Sequence, residues 1–363
     1  MKLERLALYN VRNLAPTEFA PGNGLNLIVG PNAAGKSNLC EAIYYVAKGW
    51  LFKGERQRDL IAWGHQQAAL ECAINGDQAR IHLNGSVKTK TIEINRERKS
   101  QSELSSLVRA LVFTPDELQI IKGSPDQRRR FLDRSVADLN REYRQVSLEY
   151  EQVLRRKNAL LRNGTPNREV LEVFNEELID RGDWLISRRR AYVKDINKTL
   201  SERYQKISDR STELVLRYET SVSETDDVRA ALTKLVKQAT REELRRGTAL
   251  IGPHRDDLCF AVDGHDLRRF GSQGEQKSAL CAVLLAQLDL HYERFGDYPI
   301  LILDDVLSEL DSGRMRRLLQ LIPKDLQIFL TQTVADVSEI QPEARAAANR
   351  VLTLEDGQLS VIV

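Results

Sequence analysis

Lys36 and Ser37 close the run Gly30-Pro31-Asn32-Ala33-Ala34-Gly35-Lys36-Ser37, which has the spacing G-x-x-x-x-G-K-[ST]. Glycines at the first and sixth positions let consecutive backbone N–H groups curl around phosphate oxygens. An ammonium at the seventh position can reach the β- and γ-phosphates of a nucleoside triphosphate, and a hydroxyl at the eighth can ligate Mg2+. The cradle is expected to include Asn38, the next residue. A second candidate group follows Ile300-Leu301-Ile302-Leu303, where two carboxylates, Asp304 and Asp305, stand in succession. At the end of a buried strand, Asp304 would hold Mg2+ through water. Asp305 would then serve as general base or position the attacking water. Taken alone, the acidic pair reads more readily as a capped strand end; the phosphate loop is what favours the catalytic reading.

Ser272-Gln273-Gly274-Glu275-Gln276, preceded by Phe270-Gly271, resembles the LSGGQ signature of ABC-type ATPases. A serine and the backbone of Gly274 and Glu275 at a helix N-terminus form an anion site suited to a γ-phosphate. Ser272 and Glu275 also make a Ser-x-x-Glu capping box, and the two readings are compatible. Ser308-Glu309-Leu310-Asp311 takes the place of the D-loop. In ABC-type ATPases the signature serves the nucleotide on the other subunit's phosphate loop. This order of elements therefore implies a homodimer closed by ATP. His254 with Asp256 and Asp257 has weak spacing for metal ligands and reads as a structured turn.

These groups need strands and helices to hold them. Leu25 to Val29 is a short apolar run of the kind that forms a buried strand feeding a helix. Asn75-Gly76 and Asn84-Gly85 separate strand-like runs, so residues 66 to 95 are expected to form an antiparallel meander. Ser124-Pro125-Asp126-Gln127 has the pattern of a capped helix start. Leu132, Val136, Leu139, Tyr143, Val146, Tyr150, Val153 and Leu160 then step by threes and fours, with Lys157 the one polar interruption. Asn163-Gly164 and Thr165-Pro166 mark a turn into a second helical run, making a hairpin arm with a reach of roughly 50–60 Å. Three segments are expected: an N-terminal half of an α/β ATPase head at 1–120, a helical arm at 121–247 and the second half of the head at 248–363. A chain of 363 residues suits more than one domain.

Composition narrows the class. The net charge of +2 neither demands nor excludes a nucleic-acid partner. Residues 121–250 carry 28 basic against 22 acidic side chains, a mild bias toward the arm. Four cysteines lie far apart, without zinc or disulfide spacing, as in a reducing compartment. The first residues lack a signal-peptide layout and no apolar stretch approaches 18 residues, so a cytoplasmic protein with no membrane partner is expected.

Three further stretches carry a resemblance along essentially the whole chain. They are Leu111 to Leu118 running into Lys122-Gly123-Ser124-Pro125 and Arg128-Arg129-Arg130-Phe131-Leu132-Asp133, then Gly252-Pro253-His254-Arg255-Asp256-Asp257-Leu258, and finally Leu303-Asp304-Asp305-Val306 with Ser308 to Asp311. With these the sequence resembles the RecF family of bacterial DNA replication and repair proteins. The resemblance implies an SMC-like ABC-type head, a mixed sheet with flanking helices, carrying a short helical arm. It implies ATP and Mg2+ as ligands, ATP-dependent homodimerisation, and binding to gapped or single/double-strand junction DNA. It also implies action with RecR and RecO ahead of RecA loading. By analogy with SMC-class heads, Arg12 would touch nucleotide phosphate. Arg128, Arg129 and Arg130 are candidate DNA contacts, or else a solvated helix face.

Departures from the family pattern qualify this. Asp305 stands where most ABC-type ATPases have glutamate, and one methylene less implies slow hydrolysis. Thr331-Gln332-Thr333 lacks the switch histidine of transporters, and Gly49 to Lys53 lacks a Ser-(Phe/His)-Arg pattern. An ABC transporter subunit is the alternative in a different class, opposed by the helical insert and the missing histidine. A structural SMC-type DNA tether is opposed by the short arm.

Overall fold

The computed structural model describes residues 1–53, 56–87, 89–118, 120–163, 167–223, 227–306, 310–334 and 336–362. They divide into two units, Met1–Asp116 with His291–Val363, and Glu117–Leu290. The second unit runs well past residue 247, because a strand at 214–219 pairs with one at 257–262 and ties the following segment to the helices.

In the first unit, one sheet has the strand order β15 (Gln358–Val361), β14 (Ala348–Glu355), β3 (Leu25–Gly30), β13 (Ile328–Thr333), β12 (Ile300–Leu303) and β8 (Ala110–Phe113). Its strands run parallel from β14 to β8, with β15 antiparallel at one edge. All six residues of β3 are buried, which is why that strand shows an unbroken apolar run rather than alternation. The exception, Asn26, spends its amide on the carbonyls of Gly22, Gly24 and Ile328, so the buried polar group is satisfied.

The other sheet is antiparallel, in the order β2 (Thr17–Phe19), β1 (Leu3–Tyr9), β4 (Gln67–Ile74), β5 (Asp77–Asn84), β6 (Thr89–Ile94) and β7 (Glu97–Lys99). Strand β5 alternates cleanly, burying Ala79, Ile81 and Leu83. Asn75 and Gly76 both take positive φ, 50° and 88°, forming the tight turn that Asn-Gly favours. Asn84-Gly85 behaves differently from expectation. There the Asn84 carboxamide accepts from the N–H groups of Ser86 and Val87, and β6 begins only at Thr89. The side chain caps a longer loop in place of a two-residue turn.

The helix Lys36–Lys48 is buried on most faces. Leu39, Ile43 and Val46 share one core with Leu6, Leu70 and Ile81 of the antiparallel sheet and with Ile28, Phe329 and Leu352 of the parallel one. Burying each such aliphatic side chain contributes roughly 1.5–3 kcal/mol, so this helix is held chiefly by packing.

In the second unit, helix Pro125–Leu139 starts at the expected cap. Ser124 accepts from Gln127 N–H, the Gln127 side chain accepts from Ser124 N–H, and proline sits at the first position. The expected continuous seam is interrupted. Asn140 leaves helical geometry (φ −137°, ψ 107°), and its carboxamide caps a new helix, Arg141–Arg162, by accepting from Glu142 N–H. The arm's long helix is Arg168–Ser208, 41 residues or about 60 Å. The turn at Gly164, Thr165 and Pro166 lies outside the described residues. Lys157, the polar interruption of the seam, is 1% exposed and pairs with the equally buried Glu243 at 2.7 Å. Glu243 belongs to helix Val228–Arg246, which also packs Leu232 and Val236 against Ile179 and Ile186 of the long helix.

Candidate active site

The phosphate loop leaves β3 at Gly30 and enters the helix at Lys36, as the spacing predicts. Three of its residues take positive φ: Gly30 (155°), Ala33 (64°) and Gly35 (111°). A Cβ on Gly30 would lie 2.1 Å from the Leu354 carbonyl oxygen, so only glycine fits where β14 passes behind the loop. Lys36 Nζ donates to the carbonyls of Gly30 (2.8 Å) and Pro31 (2.7 Å). Burial lowers the pKa of this ammonium, while Asp305 and Asp304 oppose the shift.

Ser37 is the first point at which the two motifs meet. Its Oγ donates to Asp304 Oδ1 at 2.9 Å, joining residues 267 positions apart in the chain. Asp304 is wholly buried at the end of β12. Thr331 Oγ1 donates to the same Oδ1 at 3.0 Å and accepts from Asp305 N–H at 2.7 Å, so β13 fixes both carboxylate residues. Asp305 itself holds φ 56°, a left-handed conformation that is uncommon for a residue with a Cβ and concentrated at functional sites. Asp304, Asp305, Lys36, Ser37 and Asn38 line one cavity of about 220 Å³, with Asn32, Ala33, Gly35, Thr331 and the exposed Thr333 completing the wall.

Several residues that the motifs did not single out hold this arrangement. Glu41, 1% exposed and one turn beyond Ser37, accepts from Arg12 Nη2 at 2.6 Å and from Lys53 N–H at 3.0 Å. It thereby anchors Arg12, which has φ 50° and an Nε with no hydrogen-bond partner among the described residues. Asn38 donates to Asn13, and Asn13 donates to the Ala33 carbonyl. The turn between β14 and β15 braces the loop from behind, with Gly357 N–H donating to the Ala34 carbonyl at 3.1 Å. Gly357 has φ 79°, and a Cβ there would stand 2.1 Å from the Asn13 carbonyl oxygen.

Lys53 lies in the stretch where the family pattern was missing. Its Nζ donates to Asp304 Oδ2 at 2.5 Å and to Ser37 Oγ at 3.1 Å. An ammonium thus sits against the two oxygens expected to ligate Mg2+. Hard oxygen donors already holding a cation are a fit for Mg2+, which prefers such ligands.

In the second unit, Ser272 and Glu275 form the capping box. Glu275 N–H donates to Ser272 Oγ at 3.2 Å, and the Glu275 carboxylate accepts from Ser272 N–H and Oγ, both at 2.8 Å. Arg210 holds the same carboxylate at 2.9 Å. The helix it caps, Gln273–Phe295, starts immediately after Ser272, so Gly274 lies in its first turn. In the D-loop, Ser308 and Glu309 lie outside the described residues.

The basic run divides by burial. Arg128 is 2% exposed and grips Asp257 through Nε and Nη2, both at 2.6 Å, so it is not available to DNA; the helix turns it inward to hold the Gly-Pro-His-Arg-Asp-Asp segment. Arg129 donates to the Asp256 carbonyl at 2.9 Å. Arg130 alone of the three is exposed, paired with Asp126.

His254 is no metal ligand in this arrangement. Its Nε2 faces the Ala249 carbonyl at 3.3 Å and its Nδ1 accepts from Tyr150 at 2.6 Å, which sets the neutral tautomer. Burial lowers its pKa to about 4. The unfolded chain, titrating near 6.5, then binds more protons than the native state between those values. Stability is full above about pH 6.5 and falls as pH drops toward 4, by up to roughly 3 kcal/mol. Urea denaturation from pH 7 to 4 is expected to show this loss in the wild type and a shallower one in His254→Gln.

Among the described residues no helix is long and apolar enough to cross a membrane. The model of the RecF/RecN/SMC N-terminal domain matches residues 2–344. A DNA replication and repair protein RecF from Desulforamulus reducens is 36% identical over 91% of this chain and 92% of its own length. A solved structure of the recombination mediator protein RecF-ATPrS in the RecFOR pathway superposes with a TM-score of 0.89 at 27% identity, covering 100% of this chain and 98% of that one. An Smc head domain with an extended coiled coil from Pyrococcus furiosus shares the fold, with a TM-score of 0.56 at 17% identity over 99% and 95% of the two chains. The mixed α/β architecture is that of RecF and SMC heads, and the chain belongs to the RecF family of DNA replication and repair proteins.

Proposed function

We propose that the chain is a slow ATPase used as a conformational switch, a DNA-binding protein of recombinational repair that dimerises on ATP. In this reading it binds gapped or junction DNA and helps RecR and RecO load RecA. The observation that carries it is the Ser37–Asp304 contact at 2.9 Å, which brings a phosphate loop and an acidic strand end to one cavity. RecF relatives solved as RecF-ATP and RecF-ATPrS support ATP as the nucleotide, and the pathway they are described in supports RecR and RecO as partners.

The residues divide the work as follows. Backbone N–H groups of the loop receive the phosphates, and Lys36 exchanges its two carbonyl acceptors for phosphate oxygens. Ser37 and Asp304 would hold Mg2+, which supplies positive charge to the β- and γ-phosphates. Asp305 positions the attacking water, held in its left-handed conformation by Thr331. Its short side chain limits its reach, hence slow turnover. Arg12, anchored by Glu41, lines a separate cavity with Arg58 and His65, and would have to turn from there to touch nucleotide phosphate. Ser272, Gly274 and Glu275 would serve the nucleotide of the second subunit, which makes ATP the adhesive between heads. Arg130 and the mild positive excess of the arm supply phosphate contacts to DNA.

Asp305→Asn is the variant of choice, because asparagine tolerates the left-handed backbone that Asp305 adopts. Sedimentation of this variant with labelled gapped DNA is expected to give a two-subunit complex with ATP and none with ADP. Its DNA affinity should fall by roughly 0.9 log units per log salt for each phosphate neutralised. A monomer binding DNA equally well with either nucleotide would sink the dimer mechanism.

A further inference from the structure

Among the described residues, Lys53 places its ammonium on both side chains assigned to the metal, Ser37 and Asp304, and its surroundings separate a fixed backbone from a movable side chain. Its N–H is held by the buried Glu41 at 3.0 Å. The rings just before it pack edge-on against Tyr44 of the same helix, Trp50 at 6.4 Å and Phe52 at 5.4 Å between centroids. The side chain itself is 39% exposed, while Asp304 at its tip is fully buried. A buried carboxylate requires a paired charge, and Lys53 provides it at 2.5 Å. A divalent cation on Ser37 Oγ and Asp304 would occupy the volume that Nζ now fills, and two like charges at that separation repel strongly.

We infer that Lys53 is a built-in stand-in for the metal: its ammonium neutralises Asp304 until the divalent ion takes that place, and it then turns outward while its backbone stays on Glu41. The exchange makes metal binding compete with an internal cation. Binding of the metal alone is thereby weakened. A nucleotide phosphate beside the site accepts the displaced positive charge and favours the exchange, so that metal and nucleotide enter together. This inference rests on the Mg2+–nucleotide reading of the site.

The test uses Mn2+ as the probe on the full chain without nucleotide. Electron paramagnetic resonance is expected to show Lys53→Met binding Mn2+ roughly tenfold more tightly than the wild type, with Asp304→Asn abolishing the site. In the wild type, Lys53 should resist reductive methylation in the absence of Mn2+ and become labelled in its presence. Equal Mn2+ affinity in wild type and Lys53→Met overturns the inference. So does Mn2+-independent labelling of Lys53 in the wild type, a readout that stands even if the variant fails to fold. Binding of a fluorescent ATP analogue separates the two readings. Nucleotide binding with unchanged Lys53 labelling overturns the exchange and leaves the proposed function standing. Mn2+-dependent labelling without nucleotide binding supports the exchange and removes the ATPase reading.

Discussion

Lys157→Met is expected to destabilise the second unit by roughly 3–5 kcal/mol, seen as a shift of the urea midpoint without loss of slope. Lys157 and Glu243 are each 1% exposed and meet at 2.7 Å. Methionine matches the length of lysine and preserves packing, so what the substitution removes is charge. It leaves the Glu243 carboxylate buried with, among the described residues, the Leu250 N–H at 2.8 Å as its remaining donor. The double variant Lys157→Met/Glu243→Met removes the stranded charge and should recover about half of the loss. A remaining deficit of roughly 1–3 kcal/mol is expected from the orphaned Leu250 N–H. If the double variant is no more stable than the single one, the penalty comes from packing and the ion pair is not its cause.

The same pair shows what the sequence could and could not disclose. Lys157 stood out as a charge on an apolar seam, yet its partner lies 86 positions away on another helix, and no local spacing points to it. Contiguous signals were readable because one short segment contains all their parts. The phosphate loop, the Ser124 capping box and the Asn75-Gly76 turn each fold from neighbouring residues. Burial was harder to read. Arg128 sits in a basic run that suggested a surface, but the helix turns it inward onto Asp257, a residue from a strand beyond the arm. Asn140 falls between Leu139 and Tyr143 of the expected seam, where a carboxamide able to cap Glu142 N–H can end one helix and begin another. At the site, Asp304 and Ser37 were legible as motif residues. Glu41, Lys53 and Thr331 act through tertiary contacts, and only the fold brings them to the carboxylates. The Asp356-Gly357 pair was a turn signal in plain view. Its use in bracing Ala34 depends on β14 entering the sheet beside β3.

Lys36→Met is expected to weaken ATP binding by roughly 100- to 1,000-fold in calorimetric titration, or about 3–4 kcal/mol, while the folded state changes little. The asymmetry follows from what Nζ touches. Within the loop it donates to two carbonyls, neutral acceptors that water can replace at the edge of the open cavity. Against phosphate the same ammonium meets acceptors of opposite charge, and ion pairing adds Coulomb attraction that a neutral carbonyl does not supply. The pairing also acts in a buried setting that already lowers the pKa of the ammonium and so enhances the gain from a new anion. Methionine keeps the length and apolar stem that fill the loop but donates nothing. The difference carries over to thermal denaturation by linkage: ATP at 100 times its Kd stabilises the wild type by about 2.7 kcal/mol, and the same concentration should leave the melting temperature of Lys36→Met nearly unmoved. Equal ATP-induced stabilisation of the two proteins would mean that the nucleotide does not sit in the 30–37 loop. The roles of Ser37, Asp304 and Asp305 as metal and water ligands would then fall together, because all three are placed by reference to a phosphate bound beside Lys36.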